Sequence, residues 1–222
     1  AGSGSTPPAG EVTLTFRPLV MPPARPPKPG GPGRPMADPF QNLDFPLPLT
    51  EAAYNALTPA HRQQLQALLA AFDCSSDQLD GEPQRTTALL ACDSRDPAKA
   101  TMAYLLGPVI LSGKDISDAT ASAPDPATGK SQWTIALNLT SAGAQAWADY
   151  TGKHNTGGQN PGGSISSCAP SGTPCAAYVA FTTAGAVLSS PYVMDQINGP
   201  ATQISGPFTQ QSAQELAAAL RH

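Results

Sequence analysis

Between Pro18 and Pro48 eleven positions are proline, interleaved with Gly, Arg and Lys. Proline fixes φ and has no amide hydrogen to give to a ladder or a helix. The stretch therefore favours extended, solvated polyproline II and cannot bury a core of its own. It divides the chain: the segment before it has to find partners across it, and the segment after it has to supply the main folded body. Pro23 to Pro26 satisfies P-x-x-P, the pattern that proline-recognising domains bind, but such matches are common in proline-rich linkers. Residues 18–49 read as a tether.

Ahead of the tether, Val12, Leu14 and Phe16 alternate with Thr13, Thr15 and Arg17, so residues 11–17 read as a strand with one apolar face. A lone strand is not stable, so it pairs with the later sheet or with protein outside this sequence. The opening AGSGS has the small-residue character of a cloning remnant, and residues 1–10 are set aside from the fold.

Residues 50–222 carry the regular signals. Thr50 before Glu51 to Tyr54 starts a helical pattern, and Thr58 with Pro59 restarts one with Leu65, Leu68, Leu69 and Phe72 on a shared face. Tyr104 to Ser112 is a short apolar run with a bend at Gly107-Pro108, read as a buried strand. Trp133, Ile135, Leu137 and Leu139 alternate with Thr134, Ala136, Asn138 and Thr140, a second strand. Ser141 is the expected cap of a helix bearing Ala144, Trp147, Ala148 and Tyr150, ending near Gly152. Ala177, Val179 and Phe181 alternate with Tyr178, Ala180 and Thr182, and the small corner Thr183 to Ala186 turns the chain into Val187 and Leu188, which makes a hairpin. Gln203 and Ile204 resume extended structure, and Thr209 caps a last helix with Ala213, Leu216, Ala217 and Leu220 on one face. The order implies an α+β fold: a mostly antiparallel sheet with helices on one face, a ferredoxin-like unit, plus the helix from Pro59 to Phe72 as an added cap.

Composition sets limits on function. With 40% hydrophobic and 13% charged residues the chain can bury one sizeable core, yet 25 Pro and 20 Gly are too many for uniform packing. A net charge of -4 argues against nucleic acid or an anionic membrane surface as partner, since both require a concentrated basic patch. No apolar run approaches the roughly 20 residues that span a bilayer, so the fragment reads as soluble. The four cysteines fall as Cys74 with Cys92 and Cys168 with Cys175. Three connectivities are open; the local one is favoured because a short flexible loop closes at little entropic cost. Neither pair has the Cys-x-x-Cys spacing or a nearby His that zinc requires. Structural disulfides imply an oxidising compartment outside the cytoplasm.

Catalytic chemistry finds no foothold. His61, His154 and His222 are the only histidines, and none has a nucleophile and carboxylate at a recognisable spacing. Gly162 to Ser166 fails the nucleophile elbow at its last position. Gly107 with Gly113-Lys114 resembles a phosphate-binding loop, but Asp115 stands where a magnesium-binding Ser or Thr belongs. Lys114, Asp115 and Asp118 read as surface and turn residues after a strand, and Trp147 and Tyr150 as core. The chain reads as neither an enzyme nor a cofactor protein.

Three phrases carry a resemblance: YLLGPVILSGKDISDATAS from Tyr104 to Ser122, WTIALNLTSAGAQAWADYT from Trp133 to Thr151, and GAVLSSPYVMDQINGPATQISGPFTQQSAQELAAALR from Gly185 to Arg221. In this order they resemble the first extracytoplasmic domain of SecD, the membrane subunit that works with SecF beside the bacterial Sec translocon. The resemblance implies that residues 50–222 are the domain's head and 11–17 the last strand of its base, with a Pro-rich insertion of actinobacterial type between them. It also implies a role in preprotein export driven by the proton gradient. The head would hold the emerging unfolded chain, in a parent protein anchored in the cell membrane with this domain outside. Partners would be the unfolded preprotein and, through the full-length protein, SecF and the SecYEG translocon. An unfolded substrate needs tolerant apolar contacts or an open strand edge. The candidates are Val109, Ile110 and Leu111 on one edge and Phe181, Val187 and Leu188 in the hairpin. Asn155 to Pro174 departs from the family pattern as a Gly-rich insertion with its own cysteine pair. The rival expectation is a secreted or cell-envelope binding module, disulfide-stabilised, on a Pro-rich stalk.

Overall fold

A computed structural model describes residues 14–28, 40–41, 43–46, 56–74, 88–94, 96–155, 178–183, 186–191, 193, 195–206 and 208–221. The expected Cys168 to Cys175 bridge, most of the Gly-rich insertion, the helical signal at Glu51 to Tyr54 and the chain before Leu14 lie outside the described residues.

Among the described residues nine strands form two sheets, and three helices pack on them. The larger sheet contains β1 (Leu14–Pro18), β2 (Leu89–Cys92), β3 (Ala103–Leu106), β4 (Leu111–Ser112), β7 (Val179–Thr183) and β8 (Ala186–Ser189), in the order β3-β2-β8-β7-β1-β4. The smaller has β5 (Ile116–Ser122), β6 (Thr134–Leu139) and β9 (Ala201–Ser205), in the order β5-β6-β9. Every pairing is antiparallel except the single contact of β2 with β8, Cys92 beside Ala186. The fold is α+β as expected, but the single sheet becomes two. The predicted strand from Tyr104 to Ser112 breaks at Gly107-Pro108 into β3 and β4, which stand at opposite ends of the larger sheet's order.

β1 is the hinge of this arrangement. It pairs with β7 across five register positions, from Leu14 with Thr183 to Pro18 with Val179, and with β4 on its other side. Leu14 and Phe16 join Val179 and Phe181 in one core, while Thr15 and Arg17 face the other way with Thr182 and Ala180. Both faces of β1 are thus covered, which is why all five of its residues are buried. Arg17 is fully buried there, its Nη1 donating to the Gly107 carbonyl at 3.1 Å and its Nε to Thr15 Oγ1 at 3.3 Å.

The start of the stretch expected as a tether packs on the body. Leu19, Val20 and Met21 are buried, and Phe40 joins the same core. Val20 donates to Leu105, and Ala24 exchanges amide hydrogen bonds with Ala103 at 3.0 and 2.7 Å. The apolar Leu-Val-Met triplet between Pro18 and Pro22 explains the difference, because its burial outweighs the helix- and ladder-breaking prolines around it. Bridges of Leu19 to Leu106 and Ala24 to Ala103 return the β3 edge to the continuation of β1. The P-x-x-P segment is therefore held extended against the body at Ala24.

α1 (Pro59–Ala71) covers this first core. Thr58 caps it by accepting from the His61 amide at 3.2 Å, Pro59 occupies its first turn, and Leu65, Leu69 and Phe72 are buried. The Cys74–Cys92 disulfide ties the end of α1 to β2, as expected, with Cα atoms 5.9 Å apart.

The second core lies between the smaller sheet, β1, β7 and two helices. α2 (Ser141–His154) is capped by Thr140, one residue before the expected cap, and runs on to His154. α3 (Gln210–Ala219) is capped by Thr209 with Ser212 completing a capping box. Ile135, Leu137 and Leu139 of β6, Trp147 of α2, and Ala213, Leu216, Ala217 and Leu220 of the last helical segment close this core. Phe16 stands edge-on to both Trp147 and Phe181, at 5.3 and 4.6 Å between ring centres. Gly143 is required where α2 crosses the loop before β5, since a Cβ there would meet the Asp115 carbonyl at 2.7 Å.

Candidate functional site

The structure separates the six residues nominated from the sequence. Leu111 and Phe181 are buried in the second core, each 2% exposed. Val109 and Ile110 are half-buried ahead of β4, and the Ile110 amide donates to Phe16 O at 2.7 Å. β4 does end the larger sheet's order, but as a two-residue strand. In the hairpin, β7 lies between β1 and β8, while β8 meets β2 only at Ala186 beside Cys92. The hairpin also contributes side chains. Val187 and Leu188 line a cleft of about 380 Å³ together with Thr183, Phe208, Leu216, Ser212, Glu215 and Asp93.

This cleft forms where the end of β2, the β8 strand and α3 meet. Asp93 directly follows β2, whose Cys92 pairs with Ala186 at the start of β8, so the sheet register brings Asp93 beside Val187. Asp93 is fixed by its own hydrogen bonds, accepting from the Thr101 amide at 2.8 Å, the Met102 amide at 3.2 Å and the Thr101 hydroxyl. On the other wall, Phe208 sits immediately before the Thr209 cap, a position whose apolar side chain tends to pack on the first turns of its helix. Gly206 permits that approach: a Cβ there would lie 3.2 Å from both the Leu188 carbonyl and the Phe208 ring. Glu215 lies farther along α3, exposed, and accepts from Gln211 Nε2 at 2.8 Å. The floor is apolar, and two carboxylates and two hydroxyls mark the rim. Thr183 Oγ1 is buried there and has no hydrogen-bond partner among the described residues.

A second cavity, of about 300 Å³, takes in Phe181 with Trp147, Val179, Pro191, Val193, Asp195, Ile197, Thr202 and Gln203. It sits in the seam between β7 and β9. None of Val109, Ile110 and Leu111 lines either cavity.

Among the described residues that line them, neither cavity holds a histidine, cysteine or lysine. His154 is buried against Tyr150, 4.4 Å between ring centres, and His61 stacks on Phe45 at 4.2 Å with Asp44 3.9 Å away. Among the described residues no three His, Cys, Asp or Glu side chains gather as metal ligands. Gly113–Asp115 is one turn of 3-10 helix, and the Asp115 carboxylate accepts from the amide and hydroxyl of Ser112, so Asp115 closes the turn. Asp118, expected in a turn, belongs instead to β5 and pairs with Asn138 of β6. Sequence reasoning placed Leu216 on the buried face of the last helix but missed Asp93, Phe208 and Glu215 as its neighbours in a cleft. The apolar residue just before the Thr209 cap was the available signal for Phe208.

Comparison with known proteins bears on these features. The family described as SecDF, P1 head subdomain, matches residues 88–222, a span that contains every residue lining both cavities. Protein translocase subunit SecD of Mycobacterium tuberculosis (strain ATCC 25618 / H37Rv) is 30% identical over 169 residues, 74% of this chain and 25% of the relative. Protein translocase subunit SecD of Streptomyces coelicolor is 29% identical over 163 residues, 69% of this chain and 25% of the relative. The chain thus spans about a quarter of the length of the curated relatives it matches. Two solved structures are similar at 18% identity. One, described as the crystal structure of SecDF in super-membrane-facing form, has a TM-score of 0.46 over 96% of this chain and 19% of its own. The other, of a membrane component SecDF that enhances protein export, has a TM-score of 0.44 over 100% of this chain and 71% of its own. Among the described residues no helix is long and apolar enough to cross a membrane. Since the family match runs unbroken through β2 to α3, more than half of the sequence, the chain belongs to the SecDF P1 head family.

Proposed function

We propose that this chain is the head-bearing part of SecD's first extracytoplasmic domain, and that it assists preprotein export by transiently holding the unfolded polypeptide in the cleft between β8 and α3. The observation that carries this reading is the cleft itself. Val187, Leu188, Phe208 and Leu216 offer an apolar floor without a tight shape requirement, as a binder of many unrelated sequences needs. The Cys74–Cys92 disulfide supports a position on the oxidising side of the cell membrane. The reading is non-enzymatic. SecF and the SecYEG translocon act with the full-length protein, whose membrane part supplies the coupling to the proton gradient, and the head supplies capture.

The test is site-specific photo-crosslinking in the full-length protein during export of a stalled preprotein. A probe at Leu188 or Phe208 gives adducts with the preprotein, whereas one at Asn138, exposed on the outer face of the smaller sheet, does not. Equal adducts from all three positions, or adducts from Asn138 alone, refute capture in this cleft.

A further inference from the structure

We infer that the β8–α3 cleft selects, within an unfolded chain, apolar segments flanked by lysine or arginine. The inference rests on the capture reading and adds a substrate preference to it. The floor of Val187, Leu188, Phe208 and Leu216 takes an apolar side chain but does not say which neighbours are welcome. The rim does. Of the eight described residues that line the cleft two are carboxylates, Asp93 and Glu215, and none is a base. Neither carboxylate forms an ion pair among the described residues. The Asp93 oxygens meet only neutral donors of Thr101 and Met102, and Glu215 meets only the amide of Gln211.

The two carboxylates differ in kind. Asp93 is half-buried and locked by backbone amides, so its charge is a fixed part of the wall. Glu215 is exposed at the end of a long side chain and can follow a cation along the helix. An occupant with a cation beside its apolar anchor gains attraction from both, and an acidic occupant meets repulsion from both, so the rim acts against one class of segment as well as for another.

The experiment measures anisotropy of three labelled peptides with the same leucine-serine backbone, bearing lysines, glutamines or glutamates beside the leucines. They bind the whole 222-residue chain and its Glu215→Gln and Leu188→Asp variants. The lysine peptide is expected to bind about 3- to 10-fold more tightly than the glutamine peptide at low salt, the range of one or two solvent-exposed charge pairs. The glutamate peptide should bind more weakly than either. Glu215→Gln should narrow the lysine-to-glutamine ratio about 2- to 3-fold. The ratio should also shrink with added salt, and Leu188→Asp should weaken the glutamine peptide. If lysine and glutamine peptides bind equally, and both lose affinity in Leu188→Asp, the charge preference is overturned while capture stands. If no peptide binds, or Leu188→Asp changes nothing, capture in this cleft falls and the preference with it.

Discussion

Removing the Cys74–Cys92 disulfide should unfasten α1 before anything else. The bridge closes a loop with a sequence separation of 18 residues. In the chain-entropy treatment, a loop of that length left open in the unfolded ensemble costs about 3 kcal/mol. That is a large share of what anchors α1, whose buried contribution is Leu65, Leu69 and Phe72 against the first core. Those three side chains stabilise by about 2 kcal/mol each when fully buried, and the ordering entropy of the helix opposes them. The perturbation is Cys74→Ala with Cys92→Ala, which leaves Cys168 and Cys175 untouched. With a urea slope of about 2 kcal/mol/M, the unfolding midpoint should fall by about 1.5 M. Hydrogen exchange should show protection lost in α1 and β2 but kept in α2 and α3, which belong to the second core. A midpoint shift below about 0.3 M would mean that the loop is already constrained in the unfolded state. Equal loss of protection in α3 would mean that the two cores are one cooperative unit, and the reasoning from separate cores would fail.

Three further outcomes rest on named contacts. Gly143→Ala should destabilise by about 1–3 kcal/mol in chemical denaturation, since its Cβ meets a backbone carbonyl that cannot rotate away. Phe16→Ala should cost about 3–5 kcal/mol in the same assay, because the ring is fully buried between Trp147 and Phe181. Burial raises the Tyr104 pKa above its ordinary 10.0, the Ser190 hydrogen bond opposes this, and Asp93 adds to the rise. The folded state therefore holds its phenolic proton longer than the unfolded one. Tyr104's contribution is complete below about pH 10 and declines as pH rises through the folded value. Thermal melts at alkaline pH should show a shallower decline in Tyr104→Phe than in the natural sequence, and parallel declines would contradict this.

Local signals carried much of the fold, and their failures have physical causes. The alternation of Ile135, Leu137 and Leu139 gave β6, and the Thr58-Pro59 and Thr209 signatures gave α1 and α3 their starts. β5 escaped because a register shift between Ile116 and Asp118 breaks the two-residue period, so its buried positions are Ile116 and Ala119. Its small polar residues then look like loop. Leu19 to Met21 escaped because proline density was weighed over a window in which three apolar residues were outnumbered. The division into two sheets could not be read at all. Alternation says that a residue is in a strand and on which face, but not which strand lies beside it. The Thr15 and Thr182 hydroxyls, in contact across β1 and β7, are 167 positions apart. The cleft was half-legible for the same reason: Val187 and Leu188 were in view, but Asp93 and Phe208 reach them only through the β2–β8 register and the Gly206 turn.

The family match begins at Ala88, yet the core that includes Ala88 is not complete from there on. β2 and β3 read Leu-Leu-Ala-Cys and Ala-Tyr-Leu-Leu, with every residue buried. Strands of that composition need cover on both faces. Among the described residues of 88–222, the first core adds to them only Ala88, Ala180 and Val187, with Ala100 and Met102 partly buried against it. The rest comes from earlier in the chain: Leu19, Val20 and Met21 after β1, Phe40, and Leu65, Leu69, Phe72 and Cys74 of α1 and its end. The region that composition marked as tether and added cap thus closes one of the head's two cores. It also reaches the cleft. Cys74 is bonded to Cys92, and the next residue is Asp93, the fixed carboxylate of the rim. Segments outside the matched head thus connect to the cleft through one covalent link and one strand end.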